Sequence, residues 1–155
     1  MSRHLAREIA FKIIFEYGFQ DKDAEELFDD YLELHSEEFK GASEDDLAYI
    51  KDVVTGVKTN LMTIDDKIKS KLKDWNFERI SKVDMSVLRL AIYEIIYIKD
   101  IPEKVSVNEA VELCKMYGED NSPSFVNGVL AKIMEENSGR PTNVWFRNKT
   151  QVWET

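Results

Sequence analysis

Cationic side chains near the start of the chain are the residues whose type and spacing point most directly to a chemistry. Arg3 and Arg7 stand four residues apart, about one turn of a helix, and Lys12 follows on the same segment. Long basic side chains at that spacing can neutralise neighbouring phosphates of a nucleic acid. The alternative is an ordinary solvated helix face with Arg7 paired to a carboxylate. The pattern alone favours this alternative, because three cations form only a small patch.

A polar loop is the second candidate site. The segment 118–122, GEDNS, follows a helical pattern and offers amide and hydroxyl groups. Such groups can read the unpaired bases of single-stranded RNA. A simple connection between two helices explains the same residues, since Ser122 directly before Pro123 is a favourable helix start.

Charged residues at the start of a strongly apolar segment form the third candidate site. Glu78, Lys82 and Asp84 stand where the apolar run 83–98 begins. They indicate either a helix end held by salt bridges or a surface for a charged partner, where charge complementarity aids encounter and register.

Residues suited to catalysis or metal binding are sparse. His4 and His35 stand far apart, and neither has a cysteine or a second histidine at ligand spacing. Cys114 lies on an apolar helix face without a basic neighbour, which is typical of a buried, unreactive thiol. The six glycines form no phosphate-binding loop. We therefore predict a protein that is not an enzyme and needs no metal or cofactor.

Composition fits one soluble, helix-rich domain or two small subdomains with a shared core, at 155 residues, 43% hydrophobic and 33% charged. The net charge of −9 is concentrated in the segment 21–52, which has 13 acidic residues against 3 lysines. An RNA-binding surface elsewhere is compatible with this distribution. The overall negative field nevertheless predicts weak RNA binding by the protein alone.

The sequence also indicates a compartment. No apolar run approaches the roughly 18 residues that a membrane span requires, and the first residues lack an apolar signal core. A single cysteine agrees with a reducing environment. These features predict a cytoplasmic protein without a membrane segment.

Apolar periodicity predicts helices almost throughout, and the fold class is all-α. After a first helix, a second is expected over about 24–39, and the acidic segment 43–46 predicts a capped start for the next one. That helix is expected to bend near Asn60 or Thr63. The segment 83–98 is apolar on all sides, which is typical of a helix enclosed by others.

Two further patterns concern the last helices. Ser106 and Glu109 form a capping-box pattern, which predicts a helix start at Ser106. Asn127 and Gly128 are unusual inside a helix, because glycine costs about 1 kcal/mol there relative to alanine. They predict close packing against a neighbouring helix.

Three sequence blocks resemble the NusB family of bacterial transcription antitermination factors. They are VDMSVLRLAIYEI at 83–95, IPEKVSVNEAVELCKMYG at 101–118 and SFVNGVLAKI at 124–133. The blocks occur in the family's order and at about its spacing, and the N-terminal SRHLAREIAFKIIFE is similar to the basic segment with which the family opens. The resemblance covers nearly the whole chain, although between Asp21 and Leu72 it rests on helical pattern alone.

The resemblance implies an all-α fold of two packed helical bundles with about six to seven helices. We expect an N-terminal subdomain at 1–75 with a basic RNA-binding edge, a C-terminal bundle at 76–137 with a partner surface, and an extension at 138–155. In the extension, Trp145 and Trp153 are compatible with docking on the body or on another chain, and equally with a polar tail.

In function, the resemblance implies a factor that pairs with NusE, a small-subunit ribosomal protein, and binds boxA-type single-stranded RNA. It would promote antitermination by RNA polymerase, notably in ribosomal RNA operons. The RNA-binding residues implied are Arg3, His4, Arg7, Lys12, Gly118, Asn121 and Ser122. The partner-binding residues implied are Glu78, Lys82 and Asp84.

Four positions depart from the family's pattern. His4 stands at the family's second N-terminal arginine and Leu5 at the third. Ser124 replaces a common lysine, and Ala131 replaces an aspartate. Each change weakens the implied RNA chemistry without affecting the expected fold.

Two alternatives to an antitermination factor stay open. NusB-like domains also precede the catalytic domain of RNA cytosine methyltransferases, but a Rossmann-like domain and its cysteine motifs do not follow here, so we expect no complete enzyme. The other alternative is a homo-oligomeric helical binding protein, whose partner surface is itself, and a homodimer is compatible with the resemblance.

Overall fold

The computed structural model describes residues 1–18, 20–72 and 76–138, except the side chains of Tyr17 and Ser138, and all regular secondary structure in these ranges is helical. The predicted all-α class is confirmed. The helices are α1 (Arg3–Tyr17), α2 (Ala24–Leu34), α3 (Glu44–Thr59), α4 (Leu61–Ser70), α5 (Lys82–Tyr97), α6 (Glu103–Tyr117) and α7 (Ser122–Ser138), with short 3-10 helices at Ser36–Phe39 and Phe77–Arg79.

Helix α3 begins with the predicted cap. The Ser43 hydroxyl accepts a hydrogen bond from the Asp46 backbone N–H at 3.1 Å, and the Asp46 carboxylate accepts one from the Ser43 N–H at 2.9 Å. The two bonds satisfy amide groups that have no partner inside the helix. At its other end α3 stops at Asn60, where the chain turns directly into α4. The break at the predicted position is confirmed.

Helix α2 is shorter than the predicted range 24–39. It ends at Leu34, and the 3-10 helix that follows has a tighter turn. This turn directs Phe39 into the core, where its ring meets Phe28 and Tyr31 edge-on at 6.3 and 6.1 Å between centroids. A continuous helix would carry Phe39 about 12 Å along the axis from Tyr31, too far for contact between the rings, so burial of the aromatic side chain overrides the helical pattern.

Helix α5 is the centre of the molecule and packs against α1, α3, α4, α6 and α7. Its residues Val87, Leu88, Ala91 and Ile92 are fully buried. The prediction of an enclosed helix is therefore confirmed. Because α5 contacts helices from both halves of the chain, the buried apolar residues form one shared cluster. The division at residue 75 lies beside the undescribed segment 73–75 and stays a prediction.

The predicted helix start at Ser106 is wrong. Helix α6 begins at Glu103, one turn earlier, and the Pro102 carbonyl accepts hydrogen bonds from the N–H groups of Val105 and Ser106. Proline fixes a backbone φ suited to a helix start, which places the beginning there. Ser106 is instead buried inside the helix.

The predicted close packing at Asn127 and Gly128 is also wrong. Both residues are exposed on α7, and a Cβ atom added at Gly128 would meet no atom within 4 Å. The opposite side of the same helix carries the buried residues Val126, Val129 and Leu130. The predictions for Trp145 and Trp153 concern residues outside the described ranges.

Two helical glycines provide a matched test of this packing. A Cβ at Gly56 would overlap the Tyr93 ring, whereas one at Gly128 would enter open space. Gly128→Ala should raise the free energy of unfolding by about 0.5–1 kcal/mol. Gly56→Ala should lower it by about 1–3 kcal/mol, because overpacking outweighs the gain in helix propensity. Urea denaturation of both variants measures the difference, and equal shifts would contradict the packing described at α3 and α5.

Candidate nucleic-acid and partner interface

A fully buried carboxylate on α5 joins four helices. Glu94 is 0% exposed and accepts hydrogen bonds from Arg7 Nε of α1 at 2.8 Å and from the Ser106 hydroxyl of α6 at 2.7 Å. The Tyr49 hydroxyl of α3 donates a third bond to it. A buried charge is tolerated only when it is paired and hydrogen-bonded, and these three donors meet that requirement.

Arg7 belongs to this buried network. Its side chain is 2% exposed, and its Nη1 lies 3.6 Å from Oε1 of Glu109. Burial alone would lower the pKa of Arg7, but the hydrogen bond to Glu94 and the nearby carboxylates raise the pKa overall, so the guanidinium stays charged. The prediction that Arg7 contacts phosphate is therefore corrected: a phosphate in solvent cannot reach this group, and the alternative of a carboxylate partner describes its environment.

Arg3 is the exposed cation of the same helix edge. Its Cζ lies 4.3 Å from the centroid of the Tyr49 ring, and Arg7 lies over the same ring at 5.8 Å. The two arginines therefore share one face of α1, as their spacing indicated. Stacking on an aromatic ring holds the Arg3 guanidinium in place while its edge stays accessible to an anion.

His4 connects this edge to α6. Its Nδ1 lies 2.6 Å from Oε2 of Glu109, whose other oxygen faces Arg7. One carboxylate thus links an exposed imidazole with the buried guanidinium. His4 is half-exposed on the predicted RNA-binding edge.

An aromatic groove of about 370 Å³ lies beside α1. The Phe11 ring is 5.1 Å from the Tyr117 ring and 5.9 Å from the Phe15 ring, and the Tyr31 and His35 rings stack at 4.2 Å. Phe11 and Tyr31 are buried, but Tyr117 is exposed and Phe15 partly exposed, and rings in such positions can stack with unpaired bases. The groove is lined by Phe11, Lys12, Phe15, Glu16, Tyr31, His35, Glu38, Val83 and Tyr117.

Two hydrogen-bond donors and a histidine ring converge on one carboxylate in this groove. Glu38 Oε1 lies 3.2 Å from Lys12 Nζ, and Oε2 accepts a hydrogen bond from the Tyr31 hydroxyl at 2.9 Å. The same Oε2 lies 3.3 Å from Nδ1 of His35. Burial alone would lower the pKa of Lys12, but the hydrogen bond to Glu38 raises the pKa overall, so Lys12 is charged and partnered.

Sequence reasoning selected Lys12 but missed the rings around it. Phe11 and Phe15 lie four residues apart on α1 on either side of Lys12, a spacing that does place two rings on one helix face. Tyr31 and Tyr117 come from other helices, so their position beside α1 depends on the tertiary fold. The pattern in the sequence that could have indicated the groove is therefore Phe11 and Phe15 on either side of Lys12.

The loop 118–122 continues directly from Tyr117 of the groove. The buried Ser122 hydroxyl accepts a hydrogen bond from the Glu119 N–H at 3.0 Å, so its prediction as a base contact is corrected: it holds the loop. A Cβ at Gly118 would lie 2.7 Å from the Ser122 hydroxyl oxygen, which explains the glycine. Asn121 is exposed and offers its amide to solvent.

A second cleft, of about 310 Å³, lies between α1 and the start of α5. Glu78 and Lys82 both line it, so two of the three predicted partner residues come together. Lys82 Nζ also lies 4.7 Å from the centroid of the Phe15 ring, which lines the aromatic groove. The α1–α5 cleft and the aromatic groove are therefore neighbours. The other lining residues of the cleft are Ile14, Gly18, Phe77, Ile80, Met85, Ser86 and Arg89.

Asp84, the third predicted partner residue, does not line this cleft. It is 8% exposed, and its Oδ1 has no hydrogen-bond partner in the part of the chain that the structure describes. Burial, together with the charge of Asp84, raises the pKa of the Cys114 thiol to about 12. Cys114 is thus a buried thiol, as its sequence context predicted.

None of the helices at 1–18, 20–72 and 76–138 is long and apolar enough to cross a membrane. Within the same residues, no group of three or more histidine, cysteine, aspartate or glutamate side chains is placed to hold a metal ion.

An all-helical body with a cationic edge, an aromatic groove and an adjoining cleft defines a helical binding protein. The model of the NusB family matches residues 4–135, and the chain belongs to that family. The transcription antitermination protein NusB of Clostridium novyi (strain NT) is 40% identical over 135 residues, which are 87% of this chain and 99% of that protein.

Solved structures agree with this assignment. A structure of T. maritima NusB superposes with a TM-score of 0.76 at 37% identity, covering 88% of this chain and 92% of that one. A chain in a structure of the antitermination factors NusB and NusE in complex with dsRNA gives a TM-score of 0.74 at 28% identity, covering 86% and 96%. The family resemblance of the sequence blocks is confirmed.

The two arginines of α1 should differ sharply in their contribution to stability. Arg7→Met leaves the Glu94 charge buried without its cation and should lower the free energy of unfolding by about 3–5 kcal/mol. Arg3→Met removes the same charge from an exposed position and should cost less than about 1 kcal/mol. Urea denaturation of both variants is the measurement. Similar losses would show that Arg7 is not held in the buried network described above.

Proposed function

We propose that this protein is a non-enzymatic adaptor of transcription antitermination that pairs with NusE and binds boxA-type single-stranded RNA. Membership in the NusB family supports the proposal, as does the similarity to a structure of NusB and NusE in complex with dsRNA. The observation that carries it is the aromatic groove, in which rings from three helical segments surround Lys12. Stacked rings beside a cation favour unpaired bases with their phosphates.

The RNA-binding surface would run from the beginning of α1, where Arg3 and His4 lie, to Lys12 in the groove. These side chains would meet phosphates. The exposed Asn121 would contact base edges, and the rings of Phe15 and Tyr117 would stack with bases. Gly118, Ser122 and Arg7 act indirectly, since they shape the loop and hold α1 against α5.

The partner surface is the α1–α5 cleft with its neighbouring residues. Glu78 is exposed and suits a basic ribosomal protein, while Lys82 lies between the cleft and the groove. Asp84 at the start of α5 is buried behind this surface, so it would contribute its negative charge and not a direct contact with NusE. Charge complementarity at such a surface increases the association rate and fixes register.

A partner is needed because the protein as a whole repels RNA. Its net charge is −9, and an exposed patch of two cations, Arg3 and Lys12, with the histidine His4 provides few phosphate contacts. A basic protein in the neighbouring cleft would supply the missing positive field. This arrangement fits an adaptor that acts in the bacterial cytoplasm within the antitermination complex of RNA polymerase, notably on ribosomal RNA operons.

Two similarly exposed tyrosines test the groove. Tyr117 lines it and is 37% exposed, whereas Tyr97 at the end of α5 is 40% exposed and does not line it. Tyr117→Ala should weaken binding of a boxA-type RNA by about 5- to 150-fold, because a stacked base contributes about 1–3 kcal/mol. Tyr97→Ala should leave affinity within about twofold, since it removes no stacking partner of the RNA.

Fluorescence anisotropy of the labelled RNA, with and without NusE, measures both tyrosine variants. Salt dependence is measured in the same titrations, because phosphate contacts make affinity fall as salt rises. Absence of RNA binding by the unmodified protein, even with NusE, would refute the proposed function. Equal effects of the two substitutions on RNA affinity would instead show that the groove is not part of the RNA-binding surface.

A charge reversal tests the partner surface. Glu78→Lys should slow association with NusE several-fold at low salt, because it replaces attraction of a basic protein by repulsion. Glu37→Lys makes the same charge change at an exposed residue outside the cleft and should have a smaller effect. Surface plasmon resonance gives both rates. An equal slowing in both variants would indicate a general field effect and not a contact in the cleft.

A further inference from the structure

We propose that Glu38 sets the RNA affinity of the aromatic groove, because its carboxylate occupies the position of an RNA phosphate and competes with RNA for Lys12. The inference rests on the proposed RNA binding and deepens it. Glu38 is part of the protein, but its carboxylate occupies the groove in the way that a bound anion would.

The geometry around Glu38 is that of an anion-binding site. An ammonium, a phenol hydroxyl and an imidazole, from Lys12, Tyr31 and His35, surround its two oxygens within 2.9–3.3 Å. These are donor types that also bind the phosphate oxygens of nucleic acids. Tyr31 is buried, but Lys12 is partly exposed, and a phosphate that entered the groove beside a stacked base would need its ammonium. Glu38 and RNA therefore compete for Lys12.

The contact is open to exchange. The side chains of Lys12 and Glu38 are 34% and 30% exposed, so solvent and ions reach the pair. Ion pairs in such partly exposed positions are weak because water screens them. An incoming phosphate with a stacked base next to it can therefore displace the carboxylate without opening the core.

The fold does not depend on Glu38 to hold its own segment. The next residue, Phe39, is buried against Phe28 and Tyr31 and anchors the 3-10 helix. The capped start of α3 at Ser43 fixes the chain a few residues later. The Glu38 carboxylate is thus placed in the groove by a segment that other contacts already hold.

Charge in the groove explains the consequence for RNA. Among the residues that line the groove, Lys12 carries a positive charge, whereas Glu16 and Glu38 carry carboxylates. His35 lies between these two carboxylates, with Nε2 3.9 Å from Glu16. RNA alone therefore meets a stacking surface whose lysine is already neutralised. Binding becomes favourable when a basic partner in the adjacent cleft adds positive charge and brings the RNA to the groove.

Neutralising Glu38 should make Lys12 available to RNA. Glu38→Gln keeps the length of the side chain and an acceptor for the Tyr31 hydroxyl, but frees Lys12 for phosphate. Affinity for a boxA-type single-stranded RNA, measured by fluorescence anisotropy without NusE, should rise by about fivefold or more. The slope of log affinity against log salt should steepen by about 0.7, the value for one additional phosphate contact in single-stranded nucleic acid.

The neighbouring residue provides a matched control. Glu37 is 86% exposed and pairs only peripherally with Lys40, so Glu37→Gln makes the same change in net charge outside the groove. Its effect on affinity should stay below about twofold, because screened charges at a distance act weakly. The double variant Lys12→Gln, Glu38→Gln should lose the gain, because the phosphate would no longer find its cation.

The possible outcomes separate this inference from the proposed function. If the unmodified protein binds RNA with NusE and the Glu38 and Glu37 variants have equal affinity, competition by Glu38 is refuted and the function stands. If no form binds RNA with or without NusE, both are refuted.

Should Glu38→Gln melt below the assay temperature in circular dichroism, Glu38→Asp replaces it. Its carboxylate is withdrawn by one methylene, and a gain no larger than that of Glu37→Gln overturns the inference.

Discussion

The rest of the structure depends on the buried carboxylate of Glu94. A charge at this depth would be expelled or neutralised without donors, and Arg7, Tyr49 and Ser106 supply them from three other helices. Close packing of the apolar core limits how α1, α3 and α6 lie against α5, but hydrophobic contacts are not directional and specify the register less sharply. Hydrogen bonds to one carboxylate have direction, so they fix where each helix lies along the central one.

This register determines the binding surfaces. Arg7 points into the core, whereas Arg3, one turn earlier on the same face of α1, and the neighbouring His4 stay exposed. Glu109 extends the network outward, because one oxygen faces Arg7 and the other faces His4. Further along α1 the same register places Phe11 and Phe15 opposite Tyr117 of α6. Arg7, which the sequence pattern suggested for phosphate binding, therefore supports this surface as a buried residue beneath it.

The features that followed from the sequence are those determined by near neighbours in the chain. Apolar residues on every side of α5 required an enclosing bundle, and the serine and aspartate at 43–46 required a capped start. The features that did not follow depend on distant partners. Arg7 and Glu94 are separated by 87 positions, so no local pattern shows that they pair. The convergence on Glu38 likewise needs α1, α2 and the 3-10 helix to be assembled first.

Phe15 and Lys82 give the molecule a physical route between its two surfaces. The ammonium of Lys82 lies over the Phe15 ring, and these residues line the α1–α5 cleft and the aromatic groove respectively. A partner that draws Lys82 away uncovers a ring for stacking, whereas one that leaves it in place keeps a cation beside the RNA path. In the first case the occupant of the cleft alters the groove. Since coupling between sites is reciprocal, RNA in the groove would then change the affinity for the partner by the same factor.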